Sequence, residues 1–307
     1  MTSLPIDPAT PLRPPDWHSG LQDTPACARF DPSVPHPARV YAYWLGGKDH
    51  HSADREAAEE VMRRRPQVVA GARANRAFLA RVVRYLAGDC GIRQFLDIGT
   101  GLPAPANTHE VAQAIAPDCR VVYVDDDPLV LAYARALLTS SPQGSCDYVE
   151  ADLRDPPAIF AGAAQTLDLT QPTAVLLLAV LRFIPDADAP GSIVAALASK
   201  LAAGSFLAIS HLTADFAPDP VTAGVSAYNV LVPTSLIPRT HSQVSALFAG
   251  LPLVPPGVVP LTEWRPAAGP IPHVTDLYAG VAHAPAALTT TVGTTQGAAR
   301  SHPLSRP

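Results

Sequence analysis

The most informative segment of the chain is Gln94-Phe95-Leu96-Asp97-Ile98-Gly99-Thr100-Gly101-Leu102, an apolar strand that carries an acidic residue and runs into a turn with two glycines. Gly99 and Gly101 can adopt positive φ and have no side chain that would obstruct a ligand. The turn therefore lets backbone N–H groups approach a bound molecule closely. A segment of this kind is typical of a nucleotide-type cofactor site.

The rest of the chain beyond residue 91 alternates between strand and helix patterns, which indicates a parallel sheet covered by helices on both faces. The aliphatic run at 173–178 is nearly continuous, as expected for a central strand that is buried on both sides. Further strands are predicted at 121–125, 148–151, 206–210, 258–261 and 277–281. Helices are predicted after Asn107 and at 128–138, 192–203 and 242–249. The sequence thus predicts an α/β fold.

Residues at the predicted helix ends support these assignments. Asn107 and Glu110 have the spacing of a capping box, in which each side chain accepts a bond from the other residue's backbone N–H. Asp127 is a suitable N-cap, and Pro128 would occupy the first helical position, where proline is tolerated. Gly204 is a suitable left-handed terminator for the helix at 192–203.

The region before the sheet has a helical pattern. A first helix is stopped by Gly46-Gly47, and Ser52 and Asp54 offer N-caps for a second that Pro66 ends. A third helix is predicted at 67–86. We therefore expect a helical cap at 35–90 and the sheet domain at 91–283. Segments 1–34 and 284–307 lack apolar periodicity and are predicted to be a flexible leader and tail.

Composition excludes several classes of function. The chain has 307 residues, 48% of them hydrophobic, and a formal net charge of -5. It can bury a full core, and it lacks the basic field that sequence-independent nucleic-acid binding requires. Four separated cysteines form no C-x-x-C pair, and no apolar run is long enough to span a bilayer. We expect a soluble cytoplasmic protein without a nucleic-acid or membrane partner.

Acidic residues follow three consecutive strands, where an open α/β sheet binds its ligand. Asp97 ends the first, Asp125 the second, and Asp152 follows the third. An acidic residue 20 to 30 positions beyond a glycine turn is well placed to accept hydrogen bonds from both hydroxyls of a ribose, so Asp125 is the predicted ribose ligand. Asp152 could face the exocyclic amine of an adenine. The predicted site also includes the neighbouring residues Thr100, Asp126 and Leu153.

The glycine turn lacks the third glycine of G-x-G-x-x-G, because Ala104 stands there between Pro103 and Pro105. A dinucleotide pyrophosphate needs close backbone approach at a helix N-terminus, so this loop disfavours NAD. S-adenosylmethionine has adenine, ribose and an amino-acid tail without that group, and is the predicted cofactor.

Further motifs occur in order along the chain. They are Arg39-Val40-Tyr41 with Leu45-Gly46-Gly47-Lys48-Asp49, Ala74-Asn75-Arg76-Ala77-Phe78-Leu79, the glycine turn through Pro103, Tyr123-Val124-Asp125 before Asp127-Pro128, Trp264-Arg265-Pro266 and Ala279-Gly280-Val281. Over roughly residues 33 to 283 the chain resembles the actinobacterial class I S-adenosylmethionine-dependent methyltransferases once catalogued as a domain of unknown function.

This resemblance implies a doubly wound, Rossmann-like sheet of about seven mostly parallel strands, with the helical cap lying over the cofactor mouth. Tyr41 and Gly46, with Gly47, Lys48 and Asp49, would then form a lid that excludes water. Arg76 could pair with the cofactor carboxylate. The chain departs from the family pattern at Arg182, where histidine is usual, and at His283, where the usual basic pair is missing.

Methyl transfer from a sulfonium is an in-line displacement that depends chiefly on positioning. Where the acceptor is a hydroxyl or ammonium group, a general base must remove a proton. His211, directly after the predicted fifth strand, is the preferred candidate, with Asp215 and Tyr228 as others. The sequence leaves two alternatives to a small-molecule methyltransferase: a non-catalytic cofactor-binding protein and an NAD-dependent oxidoreductase. The pair His50-His51 with Asp54 has no further ligands at metal-binding spacing, so no metal site is predicted.

Overall fold

The structure, a computed structural model, describes residues 31–248, 250–266 and 276–284. These residues contain one sheet with the strand order β3-β2-β1-β4-β5-β7-β6. The strands are β1 (Gln94–Ile98), β2 (Arg120–Asp125), β3 (Ser145–Glu150), β4 (Ala174–Leu178), β5 (Phe206–Leu212), β6 (Val259–Pro260) and β7 (Leu277–His283). Neighbours among β1 to β5 pair in parallel, and β7 runs antiparallel to both β5 and β6. The doubly wound, mostly parallel sheet is confirmed.

Helices lie before the sheet and between its strands. They are α1 (Pro37–Trp44), α2 (Ser52–Arg64), α3 (Val68–Arg84), α4 (Thr108–Gln113), α5 (Pro128–Leu137), α6 (Pro156–Ala163), α7 (Pro190–Ala198), α8 (Pro218–Leu231) and α9 (His241–Ala246). A π-helical turn, Tyr85–Asp89, continues α3. The helix predicted at 192–203 is shorter than expected, and β5 and β7 each run two residues further than predicted. No helix was predicted where α8 lies, although its prolines, Pro218 and Pro220, occupy the first turn, where proline is tolerated.

Two of the predicted helix starts are confirmed. Asn107 and Glu110 form the capping box at the start of α4. Asp127 caps α5 by accepting a hydrogen bond of 2.8 Å from the N–H of Leu129, with Pro128 as the first helical residue. Gly204 has the expected positive φ, +82°, but α7 already ends at Ala198, so Gly204 is not its terminator. The two helix starts could be predicted because each depends on neighbouring residues alone.

Alternate residues of β1 belong to two different hydrophobic cores. Phe95 packs in the core that includes Phe78 of α3 and Trp264, whose rings meet edge to face at 5.4 Å. Leu96 and Ile98 belong to the core on the other face of the sheet, with residues of α6, α7 and α9. Successive strand side chains point to opposite faces, so a strand buried on both sides must be apolar throughout.

The cap helices α1 and α2 are organised around the fully buried carboxylate of Asp54. It accepts hydrogen bonds from the N–H of His36 at 2.9 Å, from Nε of Arg39 at 2.8 Å and from the N–H of His51 at 2.7 Å. His51 is the N-cap of α2, whereas Ser52 and Asp54 were the expected caps. Asp54 instead occupies the third helical position, where its side chain completes the capping box by accepting from the N–H of His51.

A buried ion pair joins the helical cap to the residue that precedes β7. Nε of Arg65, at the end of α2, lies 2.8 Å from Oδ2 of Asp276, just before β7, and both side chains are more than nine-tenths buried. The cap therefore shares its core with the sheet. No helix within the described ranges is long and apolar enough to cross a membrane. Residues 1–30 of the predicted leader and 285–307 of the predicted tail lie outside the described residues.

Replacing Arg65 by methionine should lower the free energy of unfolding by about 3 to 5 kcal/mol, because it leaves the carboxylate of Asp276 buried and unpaired. Arg64→Met is the matched control. Arg64 precedes Arg65 in the chain, is largely exposed and pairs with Glu60 at the surface, so the loss in free energy of unfolding should stay below about 1 kcal/mol. Urea denaturation followed by circular dichroism measures both. Equal losses in the two variants would show that the buried pair does not anchor the cap.

Candidate functional site

A cavity of about 450 Å³ opens at the carboxyl ends of β1 to β4 and is covered by residues of α1 and α3. Nearly all of the predicted cofactor-binding residues line it: Tyr41, Arg76, Asp97, Gly99, Thr100, Gly101, Asp125, Asp126, Asp152 and Leu153. Gly46 is the exception. Their convergence follows from the topology, since the carboxyl ends of parallel strands meet at one edge of the sheet.

The glycine turn has the expected backbone conformation but a different use of its N–H groups. Gly99 and Gly101 have φ values of +71° and +65°. The N–H groups of Gly99 and Thr100 donate to the carbonyl oxygen of Val124, at 2.8 and 3.4 Å, and the N–H of Gly101 donates to Oδ2 of Asp125 at 3.0 Å. These three N–H groups thus have partners within the protein, and their predicted approach to a ligand stays a prediction. A loop with its donors used internally also lacks the anion cradle that a pyrophosphate needs.

The two glycines serve different purposes. A Cβ atom on Gly99 would overlap the side chain of Val180, so the absence of a side chain there lets the segment after β4 pack against the turn. A Cβ atom on Gly101 would have no neighbouring atom within 4 Å. Gly99 is thus needed for packing, whereas Gly101 leaves space on the cavity side.

Asp125 is a buried carboxylate at the end of β2. Its Oδ2 accepts from Gly101, and its Oδ1 accepts from the N–H of Asp127 at 3.1 Å. Burial raises the pKa of Asp125 to about 7, although these two hydrogen bonds act in the opposite direction. Each carboxylate oxygen can accept more than one hydrogen bond, so both retain capacity for donors from a bound molecule.

Asp97 is a second buried carboxylate on the cavity wall. Its Oδ2 accepts a hydrogen bond of 2.6 Å from Oγ1 of Thr108 at the start of α4. Burial raises the pKa of Asp97 to about 6, against the lowering effects of the Thr108 bond and of the nearby charge of Arg76. The sequence analysis did not identify Thr108, whose role becomes visible once α4 is placed beside β1.

Arg76 of α3 holds the loop that follows the glycine turn. Its Nη2 donates to the carbonyl oxygens of Ala104, Pro105 and Ala106, at 3.4, 3.1 and 2.9 Å. Its Nε is buried and has no hydrogen-bond partner. The side chain therefore fixes the proline-rich loop with one nitrogen and keeps a second donor for a ligand.

Asp152, which is predicted to face the adenine, already forms an ion pair within the protein. Nη1 of Arg154 lies 3.2 Å from Oδ2 of Asp152, and Nε of Arg154 lies 2.7 Å from Oδ2 of Asp188. Leu153 is buried, whereas Asp126 is exposed. Partial desolvation of the Asp126 carboxyl by the surrounding wall, together with the charge of Asp152, raises its pKa.

Of the residues predicted to form a lid, Tyr41 lines the cavity and the others do not. The ring of Tyr41 lines the cavity, and its hydroxyl donates to the carbonyl oxygen of Ala72 at 3.1 Å and accepts from Nδ2 of Asn75 at 3.2 Å. Gly46, Gly47, Lys48 and Asp49 follow α1 and do not line the cavity. The backbone turns away at Gly46, where φ is +83°.

His211 does not face the cavity, so the expectation that it lies at the cleft is corrected. It is fully buried, with Nε2 at 2.9 Å from Nη1 of Arg239 and Nδ1 at 2.8 Å from the carbonyl oxygen of Leu212. Because an arginine can only donate, Nε2 accepts and Nδ1 carries the proton. Burial lowers the pKa of His211 to about 4. Neither Asp215 nor Tyr228 lines this cavity.

Two further parts of the cavity wall lie where the sequence predicts the substrate pocket. One is the segment 233–235 after α8, within the loop at 212–238 that the sequence predicts to shape that pocket. The other is Arg182, the departure from the family pattern, which the resemblance places beside the pocket. Its side chain is buried at the cavity beside the end of β4.

Comparisons with known proteins agree with this geometry. The sequence profile of the family described as S-adenosyl methyltransferase matches residues 23–285. A DUF574 family protein from Streptomyces avermitilis has 43% identity over 83% of this chain and 99% of its own, with a TM-score of 0.80. A proposed methyltransferase from Thermobifida fusca has 37% identity over 83% of this chain and 96% of its own, with a TM-score of 0.76.

No curated protein shows significant similarity to the chain. The family match nonetheless spans most of its length, and it agrees with the sheet topology and with the position of the cavity. The chain therefore belongs to the S-adenosyl methyltransferase family and is an enzyme that uses S-adenosylmethionine as its cofactor.

Proposed function

We propose that this enzyme holds S-adenosylmethionine against the carboxyl ends of β1 to β3 and methylates a small-molecule acceptor in the part of the same cavity beside β4. The observation that carries the proposal is the buried carboxylate of Asp125, which lines the cavity at the end of β2 with free acceptor capacity. A ribose offers two adjacent hydroxyl donors that suit such a carboxylate.

The cavity wall fits the cofactor in three respects. Its volume, about 450 Å³, lies within the usual range of small-molecule sites. Gly101 leaves open space where a side chain would otherwise stand. Nε of Arg76 is an unpaired buried donor, of the kind that a carboxylate would satisfy. These features support a ligand that combines hydroxyl donors with a carboxylate.

Each end of the cofactor has suitable side chains under this proposal. Asp125 accepts from the ribose hydroxyls, and Arg76 pairs with the amino-acid carboxylate near Asp97. Asp152 and Leu153 provide an acceptor for an exocyclic amine and an apolar surface for the adenine ring. Tyr41 and α3 cover this part of the cavity and limit the access of water.

The chain contributes mainly positioning to the reaction. S-adenosylmethionine supplies a methyl group on a positively charged sulfur. The acceptor side of the wall consists of residues 178–185 and 233–235, and its described lining residues include no histidine, aspartate or glutamate. Alignment of the reactants in a closed cavity can itself contribute several kcal/mol to rate acceleration. We therefore assign no general base to this protein.

Replacing Asp125 by asparagine should weaken the binding of S-adenosylhomocysteine about tenfold or more, because hydrogen bonds to a charged acceptor are each worth about 1.5 to 3 kcal/mol. Isothermal titration calorimetry measures the change. Asp118→Asn removes an exposed carboxylate between β1 and β2 and should leave affinity unchanged. Unaltered binding by the Asp125 variant would remove the ribose assignment, and absence of binding by the unaltered protein would refute the proposed site.

Binding of S-adenosylhomocysteine should weaken as the pH falls from 8 to 5.5. The free protein has a raised Asp125 pKa, about 7, so the carboxyl is protonated at the lower end of this range. Hydroxyl donors favour its charged form, so binding below pH 7 must release a proton, at a cost of at most about 1.4 kcal/mol per pH unit. Calorimetry in two buffers of different ionisation enthalpy counts that proton. A pH profile that stays the same in Asp125→Asn would contradict the assignment.

A further inference from the structure

Four arginine side chains are buried in the described part of the chain, and three of them have a carboxylate partner. The pairs are Arg39 with Asp54, Arg65 with Asp276 and Arg239 with Asp186, at nitrogen to oxygen distances of 2.6 to 2.8 Å. The fourth is Arg182. A buried cation without a counter-charge is costly, so this exception requires an explanation.

The guanidinium of Arg182 makes no hydrogen bond or ion pair with any described residue, although the side chain is only 8% exposed. Two aromatic rings lie near it: its Cζ is 5.7 Å from the ring centroid of Tyr41 and 5.0 Å from that of Phe183. Burial lowers the pKa of Arg182, and no carboxylate offsets this effect. Arginine nevertheless remains charged. The guanidinium is thus a buried cation without a partner among the described residues, beside two rings that line the cavity.

The position of Arg182 is on the acceptor side of the main cavity. It follows β4 in a short 3-10 helix, and the surrounding wall is apolar, with Phe183, Ile184 and Pro185 next in the chain. Arg182 also lines a smaller void together with Tyr228, whose buried hydroxyl has no hydrogen-bond partner. A second polar group without a partner thus lies beside Arg182, although Tyr228 does not line the main cavity.

We propose that Arg182 binds the carboxylate of the methyl acceptor, which makes the acceptor an organic acid with a small apolar body. This inference depends on the proposed function of the cavity. A planar guanidinium binds a carboxylate through two parallel hydrogen bonds, and the anion would supply the counter-charge that the other buried arginines have. The rings of Tyr41 and Phe183 would contact the apolar part of the same molecule.

The cofactor also carries a carboxylate, but Arg76 is the better partner for it. Arg76 lies beside the glycine turn, where its Nη2 holds the loop at 104–106 and its charge lowers the pKa of Asp97. Arg182 belongs to a different element, the 3-10 helix that follows β4, two residues after the Val180 that packs against Gly99. The two arginines thus serve different regions of the cavity, and the assignment of each can be tested separately.

The test compares acids with their amides on the protein saturated with S-adenosylhomocysteine. Benzoate, phenylacetate and 3-phenylpropionate are each titrated beside benzamide, phenylacetamide and 3-phenylpropionamide, with calorimetry and thermal shift as readouts. In the unaltered protein at least one acid should bind about tenfold or more tightly than its amide, as a charge-assisted pair implies. Arg182→Met should abolish that preference, and Arg182→Lys should retain part of it.

Arg154→Met is the matched control, because Arg154 lines the same cavity but already has two carboxylate partners. It should keep the acid preference. Arg182→Met should have a melting temperature equal to or above that of the unaltered protein, since it removes an unpaired buried charge. If it fails to fold, Arg182→Gln takes its place. Equal affinity for acid and amide in all three pairs, or a preference that persists without Arg182, would overturn the proposal.

A further series of titrations distinguishes a role of Arg182 in acceptor binding from a role in cofactor binding. S-adenosylhomocysteine and 5′-methylthioadenosine, which lacks the amino-acid carboxylate, are titrated into the unaltered protein, Arg182→Met and Arg76→Met. Arg182→Met should change neither affinity more than about twofold. A loss confined to S-adenosylhomocysteine in Arg182→Met would assign Arg182 to the cofactor and overturn the proposal. The acid and amide titrations are repeated without cofactor, so that failure of S-adenosylhomocysteine to bind refutes the proposed function separately.

Discussion

The hydrogen bond between the carboxylate of Asp125 and the N–H of Gly101 joins the end of β2 to the turn after β1, and the geometry of the cofactor side depends on it. It uses a backbone donor that a phosphate would otherwise need, and it holds the carboxylate at the cavity wall. The desolvation that raises the pKa of this group also makes its remaining acceptor capacity valuable to a ligand. One contact thus shapes the turn, disfavours a pyrophosphate and presents an acceptor for hydroxyl groups.

The helical cap determines that this edge of the sheet is a cavity and not an open groove. Asp54 organises α1 and α2, and the pair of Arg65 with Asp276 fastens the cap to the strand β7. Each buried charge in this framework is compensated by hydrogen bonds or by an opposite charge, as the cost of burying an ion requires. Arg182 lies inside the same framework without compensation, which is why we assign its partner to a bound molecule.

The carboxylates of the cavity and Arg182 belong to different parts of its wall, and the part with the carboxylates also includes Arg76 and Arg154. Asp97, Asp125 and Asp126 line the side formed by β1 and β2, where burial raises the pKa of each carboxyl. Arg182 lies at the other side, beyond β4. A hydroxyl-rich molecule on the acidic side and an anion on the basic side would each satisfy the groups nearest to it. The arrangement therefore supports two different ligands in one cavity.

Much of the fold, and the set of residues that line the cavity at the ends of β1 to β3, could be predicted from the amino-acid sequence because the signals are local. A strand that runs into glycines, an Asn107 to Glu110 capping box and an acidic residue after each strand need only neighbouring residues to be recognised. The parallel connection rule then brings the strand ends together. Tertiary structure alone decided which side chains face the cavity. His211 was expected just after β5, but β5 continues to Leu212, so its ring lies within the packed sheet beside Arg239. A residue beyond the carboxyl end of a strand can reach the cleft, whereas a residue inside the strand packs against the neighbouring layer, so a boundary error of two residues placed a core residue at the cleft. For the same reason the lack of a partner for Arg182 could not be foreseen, since a missing counter-charge is a property of all the elements packed around it.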